Sequence, residues 1–205
     1  VHSVFDEPVD DEFIALAKKN HALYCPTLFV MESYELALSN QWRATPEELK
    51  HADPEILAAM DDLNEIPAEK LPPRVVKFME DPKPVEPPII GMKNLMRVSA
   101  AGVTIVMGTD AGNIGTLHGP SIHREMKMMV ESGLTPLQVL RSATFDGAKT
   151  MGLEGKVGEV EAGMLADLVI LDGDPLADIG NLAKVYRTIK GGVVYDPEAL
   201  MESIR

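Results

Sequence analysis

Apolar positions follow two rhythms along this chain: short unbroken runs of the kind strands bury, and longer segments where they recur every three or four residues. The two alternate from the N-terminus to about residue 150. This pattern predicts βα units feeding a parallel sheet. Residues 1–4, "VHSV", are a very short apolar start, and in "PVDDE", residues 8–12, an Asp can cap a helix over "DEFIALAKKN", with Phe13, Leu16 and Ala17 on one face. "ALYCPTLFV" reads as a buried strand in which Pro26, lacking a ladder donor, marks an end or a bulge. A helix over "GMKNLMRVSAAG" stops at Gly102, and "VTIVMGTD" is a continuous apolar strand of the kind buried on both faces. Two helices follow: "SIHREMKMMVESG", closed by Gly133 with its methionines in the core, and "TPLQVLRSATFDGAKTMG", opened by a Thr cap and a proline.

Two regions break the alternation. Residues 32–88 are polar and proline-rich, with helical pieces around "TPEELKHADPEILAAMDDLNE" and prolines near Pro82 to Pro88 that neither a regular helix nor a central strand accommodates. In a βα architecture this is an insertion between a strand and its following helix, serving as a lid, a substrate loop or a plain spacer. After Gly152 the pattern turns to short β segments, "GKVGEVEAGM", "ADLVILDG" and "YRTIKGGVVYD", with Gly191-Gly192 as a hairpin signal. The expected organisation is an α/β part over residues 1–152 and a small antiparallel β region over 153–205.

The 205 residues, 45% hydrophobic and 25% charged, are an ordinary globular mixture with material for one sizeable core. A net charge of −13 without Lys/Arg clusters argues against nucleic acid and anionic membranes as partners. No apolar run reaches the roughly eighteen residues of a membrane span. The N-terminus has neither initiator Met nor signal-peptide pattern, so the chain is expected to be part of a longer polypeptide whose address-bearing end is missing; a cytoplasmic setting is favoured. One cysteine excludes an internal disulfide and thiolate zinc clusters, and Cys25 reads as a small buried apolar group.

The apolar run from Val103 delivers Gly-Thr-Asp-Ala-Gly, and in parallel βα sheets functional groups collect at the C-terminal ends of strands. Asp110 stands at such an end, with a turn or helix-capping role as the alternative. His2 lies at the tip of the first run, so two strands of one sheet each end in a metal-competent side chain; an incidental histidine near a chain end is the alternative. His118, in "TLHGPS", lies on the loop after Asp110 and is close enough in sequence to reach the same mouth. His21, His51 and His123 read as surface groups.

The stretch from "VTIVMGTDAG" to "DPLADI" resembles the C-terminal half of the metal-dependent amidohydrolase superfamily, nearest its imidazolonepropionase-like and Xaa-Pro dipeptidase-like members. The parts that carry this are GTDAG at the last barrel strand, "GLTPLQVLRSAT" on the following helices, and "GEVEAGMLADLVILDGDPL" where the chain returns to a sandwich. "VHSVFDEPVDDEFIALAKKNHALYCPTL" resembles the sixth and seventh barrel strands. The resemblance implies an α/β fold, the C-terminal part of a (β/α)8 TIM barrel plus strands of a flanking small β-sandwich. It implies His2 and Asp110 as ligands of a divalent metal, zinc foremost, with one or two ions in the complete protein. Asp110 would also carry the proton from the attacking water to the leaving amine, and His118 would bind substrate or support the site. Dry surroundings at the strand tip would strengthen the carboxylate's hold on a cation.

The implied reaction is hydrolysis of an amide or peptide C–N bond in a small molecule, such as an Xaa-Pro dipeptide, in a possible homo-oligomer; a non-catalytic scaffold of the same fold is the alternative. The family's ligands on strands one, four and five have no counterpart here, and three strands cannot close an eight-stranded barrel. The chain alone is therefore expected to present a partial metal site and an open parallel edge.

Overall fold

The computed structural model of the chain describes residues 2–60 and 62–204. Val1 of the expected first strand, Asp61 of the expected helical piece in the insertion and Arg205 at the end of the tail lie outside them. Helix α1 (Asp11–Lys19) starts where the Asp10 carboxylate accepts the Phe13 N–H at 2.7 Å. Phe13, Ile14 and Ala17 pack on the core, whereas Leu16 is 50% exposed, so the buried face lies one position round from the expected one.

Strand β1 (Leu23–Tyr24) is much shorter than the apolar run that contains it. Pro26 supplies no donor, Thr27 takes a left-handed backbone (φ 45°, ψ 51°), and Leu28 opens helix α2 (Leu28–Leu38), so "LFV" is helix and not strand. After helices α3 (Pro46–His51), α4 (Pro54–Ala59) and α5 (Pro73–Glu80), helix α6 (Ile89–Ala100) returns the chain to the sheet. The proline run before α6 has no regular structure, as expected.

Strand β2 (Thr104–Ile105) pairs with β1 in parallel. It too is a fragment of its apolar run: the Val106 N–H still reaches Tyr24 O, but the Met107 N–H turns away to Ser142 O at 3.1 Å. The first run forms no strand among the described residues; the Ser3 N–H donates to Pro26 O at 2.9 Å and lies alongside the end of β1 without building a ladder.

Helix α7 (Ser121–Glu131) buries Met126, Met128 and Met129 against Leu28, Phe29, Leu95, Val98 and Val139, in agreement with their expected core role. The single helix expected after Thr135 is two, α8 (Pro136–Ala143) and α9 (Phe145–Thr150). The Thr135 cap and its proline are present, but Thr144 (φ −119°, ψ −84°) breaks the run and donates its hydroxyl to Leu140 O.

In the tail, β3 (Leu168–Leu171), β4 (Val185–Lys190) and β5 (Val193–Tyr195) form an antiparallel sheet in the order 3-4-5. Gly191 and Gly192, both left-handed (φ 57° and 81°), make the tight hairpin turn that only such a pair accepts without strain. "GKVGEVEAGM" forms no strand. A 3-10 turn, Ile179–Ala183, packs on α7, and helix α10 (Pro197–Ile204), absent from the sequence pattern, follows the sheet. Among the described residues no helix is long and apolar enough to cross a membrane.

The segment between α2 and α6 is fastened to this frame. Trp42, Ala52 and Leu117 form a small second core, and the Trp42 indole N–H donates to Gly115 O at 3.0 Å. Glu48, buried at the start of α3, accepts the Thr45 N–H at 2.7 Å and forms a fork with Arg124 of α7, at 2.7 Å from Nε and 2.5 Å from Nη2.

Candidate metal and proton-transfer site

Five non-glycine residues of the described chain have left-handed φ. His21 and Asn40 follow the ends of α1 and α2, where that conformation is an ordinary helix stop. The other three, His2 (φ 70°), Thr27 (φ 45°) and Asp110 (φ 54°), lie one in each of the three apolar runs, Asp110 at the end of its own. Left-handed backbone costs an L-residue roughly 1–2 kcal/mol, and such strain gathers at functional sites.

The three side chains meet. His2 Nε2 lies 3.5 Å from Asp110 Oδ2, and His2 Nδ1 lies 2.6 Å from Thr27 Oγ1. Asn113 Nδ2 donates to Asp110 Oδ2 at 2.7 Å and contacts Asp110 O at 3.0 Å, while the Tyr34 hydroxyl donates to Asn113 Oδ1 at 2.5 Å. The carboxylate is thus held from the far side by a relay reaching back to α2. His2 and Asp110 side chains are 46% and 38% exposed, so the expected dry setting is not found. The approach strand is apolar and buried at Val103, Ile105 and Val106, but the left-handed turn at its tip lifts the carboxylate out of that layer.

A tetrahedral ion with bonds of about 2.1 Å sets its ligand atoms about 3.4 Å apart, close to the 3.5 Å between His2 Nε2 and Asp110 Oδ2. The pair fits two adjacent ligands of one divalent ion. Among the described residues no group of three or more His, Cys, Asp or Glu is arranged to hold a metal.

His118 is not joined to this pair. It is exposed, a Cβ on Gly112 would come to 3.4 Å from its Nε2, and it lines a separate crevice with His51, His123, Asp172 and Arg187. His51 and His123 are half-buried there and not the surface groups expected, and burial pushes the His123 imidazole below its ordinary value. His21 is exposed. Cys25 is half-buried, and burial, reinforced by Glu125, pushes its thiol up. A Cβ on Gly108 would come within 2.6 Å of its sulfur, so Cys25 packs against the strand leading to Asp110.

Glu125 of α7, fully buried, holds the other side of Thr27. Its Oε1 accepts the Leu28 N–H at 2.9 Å and its Oε2 the Phe29 N–H at 2.8 Å, satisfying two of the orphan donors at the start of α2. Burial outweighs these two bonds and pushes the Glu125 carboxyl up to about 7. With a folded pKa above the unfolded value near 4.3, the group's contribution to stability is full below about pH 4 and is lost as pH rises through about 7. The wild-type protein should therefore lose on the order of 3 kcal/mol more than Glu125→Gln between pH 4.5 and 7.5. Urea unfolding of both proteins across that range checks this; parallel curves would refute it.

Sequence reasoning did not find Thr27, Tyr34, Asn113 or Glu125. Thr27 and Asn113 carried faint signals, a threonine just after the proline that ends an apolar run and an Asx residue in a glycine-rich turn. Tyr34 and Glu125 carried none, because their partners lie 79 and 96–97 residues away.

A histidine and a carboxylate that approach within 3.5 Å of each other, in a chain with a parallel strand pair, form a candidate metal-hydrolase site. The chain belongs to the amidohydrolase family, whose model matches residues 47–195. It is 31% identical over 131 residues to an imidazolonepropionase of Sphingopyxis alaskensis, covering 63% of this chain and 30% of that protein. To an S-triazine hydrolase of Gordonia rubripertincta it is 31% identical over 91 residues, 40% of this chain and 19% of that one. Among solved structures it is similar to an Xaa-Pro dipeptidase with methionine bound in its active site, with a TM-score of 0.64 and 26% identity over 92% of this chain and 38% of that chain. The family and these likenesses place the fold in the TIM-barrel type. The chain spans between 19% and 38% of the length of these three relatives.

Proposed function

We propose that this chain supplies the last metal ligands and the proton carrier of a hydrolase that cleaves an amide or peptide C–N bond in a small substrate. The observation that carries the reading is the 3.5 Å approach of His2 Nε2 to Asp110 Oδ2, both residues in left-handed backbone. Residues 1–152 are then the C-terminal part of a (β/α)8 barrel, with 32–88 as an insertion at its mouth, and 153–205 contribute to a flanking β-sandwich. The parallel β1–β2 pair, the antiparallel tail sheet and the partial span of the relatives support this division. An Xaa-Pro dipeptide is the preferred substrate, supported by the likeness to the Xaa-Pro dipeptidase structure.

A divalent ion, zinc foremost, would polarise the scissile carbonyl and bring the pKa of water toward about 7. His2 offers Nε2 and Asp110 offers Oδ2 to such an ion. Asp110 also takes the proton of the attacking water and delivers it to the leaving amine, while Asn113 keeps the carboxylate from rotating. In this reading His118, off the metal side, contacts substrate from the crevice it shares with Arg187.

Metal content by elemental mass spectrometry, with intact mass on the same sample of the protein at its natural full length, is the test. About one or two zinc-like ions per chain, with chelation abolishing hydrolysis of Xaa-Pro dipeptides and zinc restoring it, is the expected result. A metal-free protein that hydrolyses these peptides at an undiminished rate overturns the reading.

A further inference from the structure

Thr27 is a β-branched residue held in left-handed backbone and 1% exposed, a combination with a steric cost and no packing advantage of its own. Two devices keep it there. Glu125 grips the next two N–H groups, Leu28 and Phe29, and the Thr27 hydroxyl donates to Pro26 O at 2.8 Å. The hydroxyl has a single hydrogen. Pro26 O is a carbonyl that can only accept, and it already accepts the Ser3 N–H. Turning the hydroxyl hydrogen elsewhere would leave two oxygens facing each other at 2.8 Å with nothing between them. The hydrogen therefore lies on the Pro26 side, and the 2.6 Å contact between Thr27 Oγ1 and His2 Nδ1 needs its proton from the imidazole.

We propose that Thr27 is a positioning residue that locks His2 as the Nδ1–H tautomer and directs the Nε2 lone pair at the site shared with Asp110. The chain of cause runs from Glu125 through the left-handed turn to the hydroxyl, and from the hydroxyl to the ring. A neutral imidazole carries one proton, so a threonine that accepts at Nδ1 leaves Nε2 bare. At Nε2 the ring faces a carboxylate oxygen 3.5 Å away, a pairing of two acceptors that a cation between them satisfies. Hydrogen-bond partners of this kind fix ring orientation and tautomer, and their loss weakens metal affinity about 10–100-fold. The left-handed strain at Thr27 is then the cost of bringing a hydroxyl from the end of β1 onto a ring at the end of the first run.

This rests on His2 being a metal ligand, and the test separates the two claims. Zn²⁺ affinity is measured by competition with a chromophoric chelator on metal-stripped full-length protein, for wild type, His2→Ala, Thr27→Val and Thr27→Ser. Thr27→Val, which keeps the branched shape and loses the acceptor, should bind Zn²⁺ about 10–100-fold more weakly, and Thr27→Ser within about threefold of wild type. If His2→Ala weakens binding and Thr27→Val does not, the positioning role is overturned and the ligand reading stands. If His2→Ala binds as wild type, both fall. Equal losses in Thr27→Ser, which keeps the hydroxyl, and Thr27→Val, which lacks it, would show that the effect does not follow the hydroxyl and overturn the proposal.

Should Thr27→Val not fold, the long-range nitrogen–proton spectrum of the metal-free wild-type protein decides, at a pH where the His2 ring is neutral. A proton on Nδ1 is expected; a proton on Nε2 overturns the assignment.

Discussion

Asp110→Asn is expected to lower kcat/KM of the full-length enzyme by about 10²–10⁴-fold with little loss of stability. Asparagine is among the few residues that accept left-handed backbone readily, so the φ of 54° at the strand tip survives the change. Its carbonyl oxygen can still accept the Asn113 amide. What disappears is the negative charge and the ability to take a proton, the two properties the proposed role requires. The expected pattern is a fall in kcat with a thermal midpoint close to wild type, measured on a panel of Xaa-Pro dipeptides and simple amides. Hydrolysis within a few-fold of wild type would remove Asp110 from the chemistry and leave it the turn residue that its glycine neighbours permit.

The second large effect concerns the ion pair that seats α3 on α7. Glu48→Ala should lower unfolding free energy by about 3–5 kcal/mol, the range for breaking a buried ion pair from one side. The Glu48 side chain is 1% exposed and its carboxylate closes the capping box of α3 while forking with Arg124, whose guanidinium also lies 4.9 Å from the centre of the Phe29 ring. Removing the carboxylate strands that guanidinium, only 20% exposed, beside two aromatic rings. Replacing both partners, as in Glu48→Leu with Arg124→Met, should cost much less, because neither charge is then left unpaired. Denaturant unfolding of the three proteins tests this. A Glu48→Ala loss below about 1 kcal/mol would place the pair with ordinary surface bridges.

The elements legible from the sequence are those whose signals are local. Asp10, Thr135 with Pro136, Gly102 and Gly133 mark helix ends by capping and left-handed geometry settled within a few residues, and each is found where the pattern puts it. Gly191-Gly192 fixes the hairpin for the same reason. The strand lengths were not legible. An apolar run of β-branched and aromatic residues is compatible with strand or buried helix. Whether "TLFV" continues β1 or opens α2 depends on Glu125, whose carboxylate arrives from nearly a hundred residues away to cap the helix.

The same division holds at the site. Asp110 and His2 stood out because strand tips are where parallel sheets expose chemistry, a rule that needs only the order of elements. Their mutual distance, the left-handed backbone at both, and the threonine and asparagine that hold them come from contacts between runs 25 to 108 positions apart or from the detailed shape of one turn. By itself the sequence determined the family, the alternation of elements and the two side chains that point to metal chemistry, since each is written in local pattern and motif. Only the tertiary structure decided where the strands stop, how α3 is anchored and which hydroxyl meets His2, because those outcomes are set by charges and hydrogen bonds that chain neighbours cannot supply.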